Sequence, residues 1–147
     1  MSEVCVTRHV EFEMAHLLAN YPGGCGNLHG HTYKLEVSIV GCRDVNTNYG
    51  FVLDFKELDK VIKSVVPDHK FVANQFAVIE EGTAENQIIN VLKEHNMAYE
   101  LYPFPTSAEN MVGYFAQLIQ EQLPDYLVTE CKLWETTNSY ATWFRTS

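Results

Sequence analysis

Cys25-Gly26-Asn27-Leu28-His29-Gly30-His31 is the stretch of this chain best equipped for chemistry. Side chains at i and i+2 of an extended strand share one face, about 7 Å apart. His29 and His31 can therefore grip one ion lying between and above them. A third donor must come from elsewhere, and His16 is available at the end of the preceding strand pattern. Three neutral nitrogens with one open position are how catalytic zinc is usually held, whereas structural zinc is usually closed by four protein ligands. Cys25, four residues before His29, admits three readings. It is a plain loop thiol, the fourth ligand of a closed site, or a base or nucleophile beside the metal, its pKa lowered there.

The elements that must position these groups are legible from alternation. In residues 4–16, Val4, Val6, Arg8, Val10, Phe12, Met14 and His16 share one face, and Cys5, Thr7, His9, Glu11, Glu13 and Ala15 share the other. That is a half-buried strand. Residues 17–28 form a loop marked by Tyr21-Pro22-Gly23-Gly24. Alternation resumes with His29, His31, Tyr33, Leu35, Val37 and Ile39 on one face. If the two strands pair antiparallel, His16 falls opposite His29 and His31 on a shared apolar face.

Further along, Gly41 to Gly50 reads as a polar turn and Tyr49 to Leu53 as a short strand. Asp54-Phe55-Lys56-Glu57 has the form of a helix cap box. Phe55, Leu58, Ile62 and Val65 follow at helical spacing up to Pro67. Asp68-His69-Lys70 lies in a loop, and residues 71–82 fit neither period. Gly82-Thr83 opens a helix with Ile88, Val91, Leu92 and His95 on one side, and Met97 to Tyr102 reads as a strand. Thr106-Ser107-Ala108-Glu109 is a second cap box, with Met111, Phe115, Leu118 and Gln122 on the stripe behind it and Tyr114 and Ile119 flanking that stripe. Leu127 to Glu135 and Tyr140 to Arg145 read as strands. Strands and helices come in blocks, which implies an α+β domain with an antiparallel sheet.

The totals agree. A chain of 147 residues, 46% hydrophobic, suits one domain with its own core. No apolar run approaches a membrane span, and Met1-Ser2-Glu3-Val4-Cys5 lacks the form of a secretory signal. Cysteines 5, 25, 42 and 131 contain no C-x-x-C pair and are expected to be reduced thiols in a cytoplasm. The net charge of −9 disfavours nucleic-acid and anionic-membrane partners, and it requires a local basic patch for any anionic substrate.

Six segments, in order, resemble the 6-pyruvoyl-tetrahydropterin synthase superfamily. They are Phe12-Glu13-Met14-Ala15-His16; Cys25 with Leu28-His29-Gly30-His31-Thr32-Tyr33; Gly50-Phe51-Val52-Leu53-Asp54-Phe55; Asp68-His69-Lys70-Phe71; Thr106-Ser107-Ala108-Glu109-Asn110; and Trp134-Glu135-Thr136. The three residues between Cys25 and His29 look like the branch that makes 6-carboxy-5,6,7,8-tetrahydropterin for queuosine. Residues 72–103 are longer than the usual connection and carry Thr83-Ala84-Glu85-Asn86, a second version of the Thr106–Asn110 motif.

The resemblance implies a tunnelling fold (T-fold). Helices pack on one face of the sheet, and sheets of several subunits close a β-barrel in a trimer or a dimer of trimers. It implies Zn2+ on His16, His29 and His31, with Cys25 as the catalytic base. His69 would shuttle a proton, oriented by Asp68, into a neighbouring subunit's site. Glu135 would anchor a pterin ring beside Thr106, Ser107 and Glu109, and Lys70 would meet a triphosphate. The implied reaction turns 7,8-dihydroneopterin triphosphate into 6-carboxytetrahydropterin, acetaldehyde and triphosphate. Two alternatives stand beside it: pyruvoyl-tetrahydropterin formation on the same substrate, and a non-catalytic binding protein stabilised by a closed Cys25-His16-His29-His31 zinc site.

Overall fold

The computed structural model describes residues 3–43 and 49–147. Strand β1 (Glu3–His16) and strand β2 (His29–Cys42) form a long antiparallel hairpin. Its register sets His16 opposite His29 and Met14 opposite His31, as the alternation requires. Helix α1 (Phe55–Val65) follows, then β3 (Lys70–Asn74), the single-turn α2 (Gln75–Val78), α3 (Ala84–Glu94) and β4 (Tyr99–Tyr102). Helix α4 (Ala108–Gln122) and the hairpin of β5 (Leu127–Thr136) and β6 (Ser139–Phe144) complete the chain. The strands form one six-stranded sheet in the order β4-β3-β1-β2-β5-β6. Among the described residues no helix is long and apolar enough to cross a membrane.

The sheet is mixed. β1, β2, β5 and β6 pair antiparallel, whereas β3 runs parallel to both β1 and β4. The parallel pairings follow from long return connections: α1 lies between β2 and β3, and α2 with α3 between β3 and β4. β3 fits neither period because Phe71, Val72 and Ala73 are all buried, so polar residues do not alternate with apolar ones.

The main core joins Val10, Phe12, Met14, Tyr33, Leu35, Val37 and Ile39 of the hairpin to Leu58 and Ile62 of α1 and Met111, Phe115 and Ile119 of α4. Phe12 stacks on Tyr33 at 5.2 Å and meets Phe115 edge-on at 6.1 Å. α1 and α4 thus cover one face. A smaller cluster of Leu17, Phe71, Ala73, Val78 and Ile89, with Ala15 and Leu92 against it, places α2 and α3 on the other. The side chains of Ala15, Phe71 and Ala73 alternate with Met14 and Val72 of the main core.

Four local readings change. Tyr49 to Leu53 is irregular, not a strand: Gly50 has φ +70°, and consecutive Val52 and Leu53 are both buried. Of the Gly41–Gly50 turn, Gly41 and Cys42 belong to β2, and residues 44–48 lie outside the described ones. α3 buries Glu85 and Ile89, while Val91 and His95 are exposed. α4 buries Val112 and Ala116 in addition to Met111, Phe115 and the flanking Ile119, because it packs against both sheet and α1; Gln122 is exposed and bonds Ser64. Asp54 caps α1 through the Lys56 N–H, as read.

Candidate metal centre and active site

The hairpin register brings the three imidazoles together at the open end of the main core. Nε2 of His16 lies 3.1 Å from Nε2 of His29. Ring centroids are 4.7 Å apart for His16–His29 and 4.9 Å for His29–His31. The outer nitrogens decide the proton positions. His16 Nδ1 lies 2.9 Å from the Thr106 carbonyl oxygen, and His29 Nδ1 lies 2.7 Å from that of Asn27. A carbonyl only accepts, so each Nδ1 donates, and each neutral ring turns a bare Nε2 lone pair inward. The Tyr33 hydroxyl, 3.2 Å from His16 Nε2, supplies one donor. Burial, then the nearby Glu135 and Cys25, push the Tyr33 phenol well above its ordinary pKa, so it keeps its proton.

His31 Nε2 is buried without a hydrogen-bond partner among the described residues. Burial holds its pKa below the ordinary value, though Glu135 pulls the other way. Glu135 completes the group. Its Oε1 lies 3.3 Å from His31 Nε2 and 3.6 Å from His16 Nε2. His16 beside it holds the Glu135 carboxyl below its usual range against the opposing pull of burial. One donor atom from each of His16, His29, His31 and Glu135 lies within 4.8 Å of all the others. Tetrahedral zinc with bonds of about 2.0–2.1 Å separates its ligand atoms by about 3.3–3.4 Å. The separations of 3.1, 3.3 and 3.6 Å match that spacing. Inward lone pairs, an orphaned buried nitrogen and a carboxylate are also the donor set a divalent cation requires.

The other sequence candidates are placed as follows. Cys25 is exposed, in a 3-10 turn (Gly24–Gly26), and lies outside the four-donor group. The turn is tight: the Cys25 carbonyl accepts the Leu18 N–H at 2.8 Å. A Cβ on Gly26 would sit 2.2 Å from the Tyr21 carbonyl oxygen, so only glycine fits beside the thiol. Thr106 is buried, and both its carbonyl and its hydroxyl face His16 Nδ1, the latter at 3.1 Å. Its contacts orient a histidine, a task sequence reading had not given it. Ser107 caps α4 through the Asn110 N–H, and Glu109 is exposed in the first turn.

Asp68 and His69 form a unit of their own. Asp68 Oδ1 accepts the Glu13 N–H at 2.8 Å and lies 3.0 Å from His69 Nδ1, while the His69 N–H donates to the Glu13 carbonyl at 2.7 Å. These bonds hold His69 at φ +57°. The Glu13 N–H, more than His69 itself, keeps the Asp68 carboxyl below its ordinary pKa. His69 and Lys70 line a cleft of about 550 Å³ with Glu13, Thr32, Met97 and His31 of the trio. The bonds of the pair run to Glu13, not to the imidazole trio or Cys25.

The family model described as 6-pyruvoyl tetrahydropterin synthase matches residues 5–146. The chain belongs to this family. It is 34% identical over 141 residues to a Haemophilus influenzae protein named 6-carboxy-5,6,7,8-tetrahydropterin synthase, covering 92% of this chain and 94% of that one. It is 30% identical over 138 residues to a Pyrococcus horikoshii protein named putative 6-carboxy-5,6,7,8-tetrahydropterin synthase, covering 89% and 83%. The crystal structure of 6-pyruvoyl tetrahydropterin synthase from Plasmodium vivax superposes with a TM-score of 0.71 over 99% of both chains, at 20% identity. The fold is therefore that of the 6-pyruvoyl tetrahydropterin synthases, and the chain is an enzyme of the tetrahydropterin synthase family.

Proposed function

We propose that this synthase is a zinc-dependent lyase of the 6-carboxytetrahydropterin branch. It converts 7,8-dihydroneopterin triphosphate to 6-carboxy-5,6,7,8-tetrahydropterin, acetaldehyde and triphosphate, in the cytoplasm and toward queuosine. The convergence of His16, His29 and His31 with their lone pairs inward carries the reading, and 34% identity along nearly the whole chain supports the branch.

Bound zinc supplies Lewis acidity at the oxygens of the pterin side chain, which makes the adjacent carbon-bound hydrogens acidic. The remaining work falls to the chain. Thr106 and Asn27 fix the two imidazole tautomers. The Cys25 thiolate removes a carbon-bound proton. His69, its Nδ1 proton held by Asp68, has Nε2 free to take up and deliver a proton. The Glu135 carboxylate accepts N–H bonds from the ring. Triphosphate departs by elimination. Splitting the resulting three-carbon side chain into a carboxylate and acetaldehyde adds one water at the cleaved carbon.

Asp68 and His69 act in this reading on the site of a neighbouring copy, as the family resemblance implies, and their own bonds run to the Glu13 backbone. The outer edges of β4 and β6, at the two ends of the sheet, are where copies would join. Mass analysis of the products is the test. A carboxylated pterin with acetaldehyde is expected; a pterin retaining three side-chain carbons would replace this reaction with pyruvoyl-tetrahydropterin formation.

A further inference from the structure

Glu135 lies at an irregularity of the β5–β6 ladder. Trp134 pairs with Tyr140 and Thr136 with Ser139, so the register shifts across Glu135 and leaves it unpaired. Such an irregularity frees the backbone from the ladder. Cys131 and Leu133 of β5 are buried in the main core, so alternation puts Glu135 on the same face, and its Oε1 lies 3.3 Å from His31 Nε2 and 3.6 Å from His16 Nε2, one edge of the four-donor group. A carboxylate in that position cannot also serve a pterin ring. The two N–H groups on one edge of a 2-amino-4-oxopyrimidine need both carboxylate oxygens in the plane of the ring, as in a bidentate pair.

We infer that Glu135 is a switch: it is the fourth metal ligand while no pterin is bound, and the ring draws it away. This rests on the zinc reading above and deepens it. The resting site is then closed and four-coordinate, which protects the metal from adventitious ligands. A coordination position opens only when a pterin ring is seated, so the ring itself licenses the site for its own side chain. The two ligands are also coupled with a definite sign: whatever factor a ring imposes on zinc affinity, zinc imposes on ring affinity.

Unsubstituted pterin is the probe, because it carries the ring edge but no side-chain oxygen for the metal. In the whole protein, Glu135→Gln should weaken zinc at least the roughly 10-fold typical of losing even an outer-shell partner, read by competition with a chromophoric chelator. It should also change the visible spectrum of the cobalt-loaded protein. Saturating pterin should shift the wild-type cobalt spectrum toward that of Glu135→Gln, and the zinc-loaded protein should bind pterin more weakly than the zinc-free protein. Unchanged zinc affinity and cobalt spectrum in Glu135→Gln would overturn the switch, as would a wild-type cobalt spectrum indifferent to pterin. The wild-type measurement needs no variant to fold. Failure of the zinc reading looks different: His29→Ala would then bind zinc as well as wild type.

Discussion

A ring nitrogen facing a carbonyl oxygen must carry the proton, and that decides what His16 and His29 offer to a cation. The same geometry separates the two readings of Cys25. The thiol sits outside the four-donor group, on a turn that admits only glycine at position 26. If it moves protons without ligating, Cys25→Ala should lower turnover by at least the ~100-fold typical of a lost general base and leave zinc content at the wild-type level. Loss of zinc together with thermal stability would instead mark a closed structural site. Zinc analysis and product formation on one preparation decide between them. The imidazole trio was legible because two short-range rules meet in it, same-face spacing at i and i+2 and hairpin register. The Tyr33 hydroxyl was within reach of the same rule, since Tyr33 shares that face two residues beyond His31. Thr106 carried no local signal as a partner of His16, from which it is 90 residues distant in sequence.

At the level of elements, legibility followed solvent. Strands with one wet face, β1 and β2, announced themselves by alternation; β3, buried on both, did not. The side of α3 that turns inward was misjudged because it carries a charged residue. Glu85 is only 2% exposed, and neither of its carboxylate oxygens has a hydrogen-bond partner among the described residues. It lines a small cavity of about 100 Å³ with Leu17, Asn74 and Pro105. Its place in the first turn of α3 suits a negative charge, but by less than the cost of two unmade bonds. Replacing it by an apolar side chain of similar length removes that cost. Glu85→Met should raise stability by about 1–3 kcal/mol, seen as a higher urea midpoint at constant slope. A second element contact is electrostatic. Asp59 of α1 takes Arg8 of β1 at 3.0 Å and Lys63 at 2.8 Å. Lys63 foremost, then Arg8, lower its pKa. A depressed carboxyl pKa stabilises the fold above the unfolded value and ceases to do so as pH falls through the folded one. Asp59→Asn should therefore lower the melting temperature at pH 7, by no more than ~1 kcal/mol of stability because Arg8 and Lys63 are solvent-exposed. The gap from wild type should close below about pH 3.9.

For the whole molecule, the proposed chemistry is divided between two groups that no hydrogen bond joins among the described residues. Cys25 lies in the turn just before His29, whereas Asp68 and His69 are tied to the Glu13 backbone, and His69 lines the cleft with Lys70 and His31. In the proposed reaction a chain with net charge −9 would need local basic groups at the triphosphate, and Lys70 adjoins His69, so anion binding and proton transfer would arrive from the same copy. Closed symmetry makes such sharing possible, because every copy then gives one half-site and receives the other. The consequence can be tested without knowing the subunit number. Cys25→Ala and His69→Ala should each be inactive alone. Unfolded together in equal amounts and refolded, they should regain activity, since some junctions pair an intact Cys25 with an intact His69. Random assembly makes half the chains at each position competent, so about a quarter of the junctions are complete and about a quarter of wild-type activity should return. If each chain instead supplies both halves of its own site, the mixture contains no complete site, and activity stays at the level of the separate variants.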